Sequence, residues 1–159
     1  MYLMKGTSLD IFDKAAAGDA VFTLSMAEGA SPLLWALEYR GMFVRVMSRS
    51  DVVIDGWVKL ASLSSINRGD RIESPPSAPR AAAGAKMVVD GQTPKTAPRD
   101  IPVRARADAK EKTIGVLESG SEFYVMATAS GWSNILPRSL TIAPPEGGGF
   151  WIPADAVPK

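Results

Sequence analysis

The sequence predicts an all-β chain made of two small strand-rich modules, and three observations carry that expectation. Apolar residues alternate with period two in two clear runs, and Gly and Pro punctuate the chain at short intervals. A stretch of linker composition separates two segments dense in Val, Ile, Leu and aromatics. With 159 residues and 46% apolar content, the chain is long enough for one ordinary domain or two small ones.

The first run is Asp51 to Leu60. Val52, Ile54, Gly56, Val58 and Leu60 share one face, and Val53, Asp55, Trp57 and Lys59 share the other. In the second run, Phe123, Val125 and Ala127 oppose Glu122, Tyr124 and Met126. Leu33 to Tyr39 carries conflicting signals, because Ser31-Pro32 is a reasonable N-cap followed by Pro at the first helical position. It is read as a strand because an internal repeat equates it with the second run.

That repeat is visible residue by residue. Leu24 with Gly29 matches Leu117 with Gly120; Gly41, Phe43 and Val46 match Gly131, Trp132 and Ile135; Trp57 and Leu63 match Trp151 and Val157. Equivalent positions lie 93 and 91 residues apart in the first pair, 90 or 89 in the middle and 94 at the end. The second module therefore has a longer loop before its last Trp, Pro137 to Gly149, whose prolines and glycines read as turn and hinge chemistry. The expected boundaries are a first module at 1–65, a Pro/Ala-rich linker at 66–98 and a second module at 99–159. Within the linker, Met87, Val88 and Val89 have the composition of one short strand.

The segment IPVRARADAKEKTIGVLESGSEFYVMATASGWSNI, followed by GFWIPADAVP, resembles a bacterial SH3 (SH3b) domain. The matching positions are Val103-Arg104, Val116-Leu117 with Gly120, Val125, Gly131-Trp132 with Ile135, and Trp151-Ile152 with Val157. Residues 9–64 resemble the same family more loosely through Leu24, Gly29, Gly41, Val46 and Gly56-Trp57-Val58, with Leu9-Asp10-Ile11-Phe12 in place of the Val-Arg strand. The resemblance implies two tandem SH3-like small β-barrels. It also implies a non-catalytic binding role in the cell envelope or periplasm, with a protein partner or peptidoglycan as ligand. The N-terminus itself does not read as a secretory signal, having one Lys and no long apolar stretch before Asp10.

Composition narrows the chemistry independently. The chain has no Cys and no His, which removes thiolate and imidazole nucleophiles, bases and metal ligands. An enzyme would have to work with carboxylates or Lys alone, so no catalytic residue, metal or cofactor is expected and carboxylate catalysis stays a remote alternative. Net charge is +1, with the linker region 65–112 at +4. Those cations lack interleaved aromatics, which argues for a solvated linker and against nucleic-acid binding. No apolar run reaches the roughly 20 residues a membrane span needs. Oligomeric state is left open.

The candidate ligand-facing residues are Trp132, Trp151 and Tyr124 in the second module and Trp57 with Phe43 in the first, because large aromatics stack on sugars and prolines. The alternative is that they close the barrel ends. A structural adaptor with no small ligand also fits. Trp35, which lacks an aromatic counterpart in this alignment, is a candidate for contact between modules. Pro76 to Pro79 beside Arg80 has the form of a polyproline ligand, and Asp10, Asp13 and Asp19 have the charge but not the spacing of a metal loop.

Overall fold

The computed structural model describes residues 1–26, 32–49, 51–66, 86–139, 142–143 and 148–159. Among them the first half contains β1 (Tyr2–Met4), β2 (Ser8–Ile11), β3 (Phe22–Met26), β4 (Trp35–Arg40), β5 (Phe43–Arg49), β6 (Val52–Lys59) and β7 (Leu63–Ser65). The second half contains β8 (Lys95–Thr96), β9 (Ile101–Arg104), β10 (Thr113–Leu117), β11 (Glu122–Ala129), β12 (Trp132–Pro137), β13 (Ile142–Ala143) and β14 (Phe150–Pro153). Single 3-10 turns, Leu60–Ser62 and Ala154–Ala156, follow β6 and β14, and no α-helix occurs among the described residues. The fold is all-β. Leu33–Tyr39 is extended over most of its length, because β4 pairs with β5 along six residues and the helix-capping signal is overridden by that ladder.

The internal repeat is reproduced in hydrogen-bond register. Ala36 opposes Val46 and Arg40 opposes Phe43, just as Val125 opposes Ile135 and Ala129 opposes Trp132. Both ladders slip at the same place, leaving Leu37 and Met126 as the extra residue of a β-bulge. Val44 opposite Val58 corresponds to Ser133 opposite Ile152. The hairpins close with two-residue loops whose positive φ values, at Gly41 in one and at Ser130 and Gly131 in the other, match the twist of paired strands. By turn position Gly41 is equivalent to Ser130, one residue from the glycine that the sequence alignment paired with it. Trp35 does have an aromatic counterpart: it opposes Met47 where Tyr124 opposes Leu136.

The closed barrels implied by the resemblance are not formed among the described strands. β6 pairs antiparallel with β10 of the other half, Val53 opposite Val116 and Val52 opposite Leu117. Nine strands consequently run as one antiparallel sheet in the order β4-β5-β6-β10-β9-β14-β12-β11-β8. The exchange is reciprocal, since β13 pairs with β3 of the first half, Ile142 opposite Met26 and Ala143 opposite Ser25. The loop before Trp151, expected to be turn and hinge alone, therefore carries a strand that belongs to the other half's sheet. Each half keeps its own closing contact too: Phe12 and Trp57 exchange both backbone hydrogen bonds, and Trp151 opposes Arg104 at the equivalent place.

The core follows the same course. Leu24, Val44 and Val58 of the first half and Leu117, Phe123 and Ile152 of the second are fully buried in one continuous cluster. In the linker region, Met87–Val89 forms no strand. Its backbone turns at Asp90-Gly91, where Gly91 has φ +73°, and the N–H of Gln92 donates to the carbonyl of Val89. The short strand of this region is β8, which pairs with β11.

Gly115 sits where the halves cross. A Cβ there would lie 2.5 Å from the backbone oxygen of Val53, 2.9 Å from Ile54 Cδ1 and 3.1 Å from Val52 Cγ1. The first of these is backbone and cannot rotate away. Gly115→Ala is expected to lower the unfolding free energy by about 1–3 kcal/mol, the usual cost of overpacking. Gly18→Ala, in open space, should change it by no more than about 0.5 kcal/mol. Chemical denaturation of both variants measures this; equal stability of Gly115→Ala and the parent chain would refute the close crossing.

Candidate functional site

Four of the five aromatics singled out in the sequence, all but Tyr124, lie in two equivalent places, treated differently by the two halves. Within the second half, Trp132 opens β12 and opposes Pro153, while Asn134 opposes Trp151 on β14. Residues two apart on a strand share a face, so Trp132, Asn134, Trp151 and Pro153 form one surface. Both Trp side chains are partly exposed, and the neighbouring residues of β11 on this side, Ala127 and Ala129, are small and exposed. Arg104 opposes Trp151 across β9 and holds its guanidinium 5.6 Å from the centroid of the Trp132 ring. Its Nη1 also donates to the carbonyl of Glu111, which ties the β9–β10 loop to this surface. Gly149 brings backbone against the same place: a Cβ there would meet Asn134 Oδ1 and Trp151 Nε1, each at 2.9 Å.

Phe43 and Trp57 occupy the equivalent positions in the first half, but they are buried. Phe12, at the position of Arg104, meets Phe43 edge to face with ring centroids 5.6 Å apart, and Ala15 and Ala20 of the following loop pack on the cluster. Arg40 lies 5.2 Å from the Trp57 ring and Lys59 lies 5.5 Å from the Phe12 ring. Where the first half has Arg40 and Lys59, the second has Ala129 and Pro153. The first half thus covers with its own side chains the surface that the second leaves half open.

Tyr124 stands apart from the other four. It is 2% exposed, and its hydroxyl donates to the carbonyl of Met87 at 3.2 Å. That segment of the linker region is anchored in turn by the N–H of Met87 to the carbonyl of Arg138. The Trp132–Trp151 surface was legible in the Gly-Trp spacing. Arg104 as its cation was not, since nothing in a Val-Arg dipeptide says where the guanidinium folds.

A second feature was missed altogether. At the crossing of the halves lies a polar cavity of about 470 Å³ whose lining includes Asp51, Lys86, Ser119, Ser121, Glu122 and Ser139. Asp51 comes from the β5–β6 turn of the first half, and its Oδ2 accepts the backbone N–H of Ser139 at 2.5 Å. Burial pushes its carboxyl above the ordinary range, and the charge of Glu122 adds to this; the Ser139 N–H and Lys86 oppose it. Glu122 is held below the ordinary range chiefly by Lys86, 2.9 Å away, and also by Arg138. No sequence sign pointed to this pair, since the two acids lie 71 positions apart and each follows a polar stretch.

The three acids weighed as a metal loop disperse. Asp10 accepts from the hydroxyl of Thr23 at 2.7 Å, and Asp13 pairs with Lys112 of the other half. Among the described residues no three acidic side chains gather as metal ligands, and no helix is long and apolar enough to cross a membrane. The Pro76–Pro79 segment lies outside the described residues.

The raised carboxyl of Asp51 gives a signed expectation. A group whose folded value is raised stabilises the fold while protonated and loses that contribution as pH rises through the folded value. Asp51→Asn keeps an oxygen for the Ser139 N–H and removes the buried charge. Its melting temperature should exceed that of the parent at neutral pH, and the gap should shrink as pH falls into the carboxylate range. Glu122, lowered by its cations, works in the opposite sense in both proteins, and its repulsion of Asp51 is lost in the variant, which adds to the gap at neutral pH. A gap that widened on acidification would contradict the assignment. No family model, curated protein or solved structure matches this chain.

Proposed function

We propose that the chain is a non-catalytic binding protein of the bacterial cell envelope, built from two SH3-like halves. In this reading the second half holds a peptidoglycan or protein ligand on Trp132 and Trp151, and the first half serves as scaffold. The observation that carries it is internal to the molecule. One ancestral surface is filled by Phe12, Ala15 and Ala20 in the first repeat and is left half open in the second. Large aromatics left partly in water beside a cation and an amide offer stacking area together with hydrogen bonding, which suits sugar rings and proline-containing peptides. The SH3b resemblance of the second half points to the same class of role. Fold-level likeness gives only the class, so the ligand has to come from the surface.

The alternative, an adaptor with no such ligand, predicts that the Trp surface is dispensable. Co-sedimentation with purified peptidoglycan sacculi at low and high salt separates the readings. Wild-type protein is expected to pellet at both salts, and folded Trp132→Ala and Trp151→Ala variants to lose about tenfold or more in affinity, as truncating an aromatic hot spot does. Phe43→Ala, which opens the covered copy, should bind like wild type while being less stable. If wild type fails to pellet, wall binding is excluded and the surface is to be screened for a protein partner. Variants that pellet like wild type would remove the Trp surface from the site.

A further inference from the structure

The cavity where the two halves cross has features that a packing void does not need. Asp51 is 7% exposed, yet its Oδ2 is engaged by a single backbone N–H. Ser139 is 2% exposed, and its hydroxyl, which lines the same cavity, has no hydrogen-bond partner. The Nε of Arg138, next in the chain, is also buried without a partner. Buried polar atoms are normally paired, so the unpaired Ser139 hydroxyl on the cavity wall marks a place where something else can supply the bond.

Charge gives the cavity a direction. Glu122 is shared by two cations, with Lys86 Nζ at 2.9 Å and Arg138 Nη1 at 2.9 and 3.0 Å from its oxygens. One carboxylate between two cations leaves that wall with an excess positive charge. Asp51 has no cation in hydrogen-bond contact and feels Lys86 only at longer range, so the opposite side of the cavity is negative. The space is about 470 Å³ and has serine hydroxyls between these groups. That is room for a compound of a few heavy atoms carrying charges of both signs.

We propose that this cavity is a binding site, separate from the Trp surface, for a small zwitterion of the amino-acid class. Its ammonium group is held by Asp51 and the Ser139 hydroxyl, and its carboxylate is held toward Lys86. A singly charged compound satisfies one wall and leaves the other as it was. A zwitterion satisfies both while adding no net charge to a buried place. Because Asp51 belongs to the first half, Lys86 to the linker region and Ser139 to the second half, occupation would also bridge these parts and stabilise the whole chain by mass action.

The test uses the intact chain, labelled with nitrogen-15, and follows the amide signals of Ser121 and Ser139. The probes are glycine, β-alanine and 4-aminobutanoate, with n-butylammonium and butyrate as singly charged controls. At least one zwitterion is expected to bind about tenfold more tightly than either control, with shifts centred on those two amides. Asp51→Asn should erase its advantage over butyrate, and Lys86→Ala its advantage over n-butylammonium. Both variants are first checked for an unchanged fold by the remaining amide signals. If one is misfolded, the comparison rests on the other and on the wild-type ranking of the probes. The proposal is overturned if no zwitterion outperforms both controls, or if a folded Asp51→Asn variant keeps the full preference.

Discussion

Backbone N–H and C=O groups along a strand edge have to be satisfied, and in a sheet-only molecule of this size most edges lie next to the core. Here each half offers a strand, the start of β6 in one and β13 in the other, to the β9–β10 or β2–β3 hairpin of its counterpart. Val52 and Val53 pair with Val116 and Leu117, and Ile142 and Ala143 pair with Met26 and Ser25. This reciprocal pairing joins the two repeats through a nine-stranded sheet and a three-stranded one, β13-β3-β2, and brings Val52, Ile54, Ile114 and Leu117 into a single apolar cluster. A half-chain of about sixty residues buries little surface, so sharing a core is where the stability of such small units can come from. The close approach at Gly115, the buried Asp51 and the polar cavity are all consequences of that crossing.

The repeat also acts as an internal control on function. The two copies keep the same ladder register and the same bulge, so differences between equivalent positions reflect a change of role more than a change of backbone. Phe12 against Arg104 is the clearest of these. An aromatic seals the first copy with an edge-to-face contact, while a guanidinium stacks on Trp132 in the second and leaves the rest of the ring surface accessible. Lys59 against Pro153 and Arg40 against Ala129 follow the same trend, removing long side chains from around the second pair of rings. One surface is thus left half open and its structural equivalent is closed.

Much of the fold was legible because period-two alternation and Gly-Trp spacing are local signals, carried by residues near one another in sequence. The strand at Leu33–Tyr39 was found only by setting the repeats side by side, since its own start reads as a helix cap. The bulges at Leu37 and Met126 were not legible. They shift the face of every later residue, which is why Ala127 is exposed although it alternates in sequence with the buried Phe123. Pairing between halves was invisible too, because a β-edge shows no preference in sequence for which edge it meets. Of the site, the Trp residues were readable from their type, whereas Tyr124 was assigned to the surface and is instead covered by the Met87 segment.

The carboxylates of the cavity illustrate the remaining gap. Asp51 and Glu122 look ordinary in sequence, one at a strand turn and one at a strand start, and each would be expected to sit in water. Only the crossing of the halves places them in one space, and only the distribution of Lys86 and Arg138 sets their environments apart, one desolvated and one doubly paired. A buried carboxylate with one hydrogen bond is a liability for folding, and removing its charge is expected to stabilise the chain. Its position on the wall of a cavity with an unpaired serine hydroxyl connects that liability to binding, because a residue that weakens the empty protein is what a charged ligand would compensate.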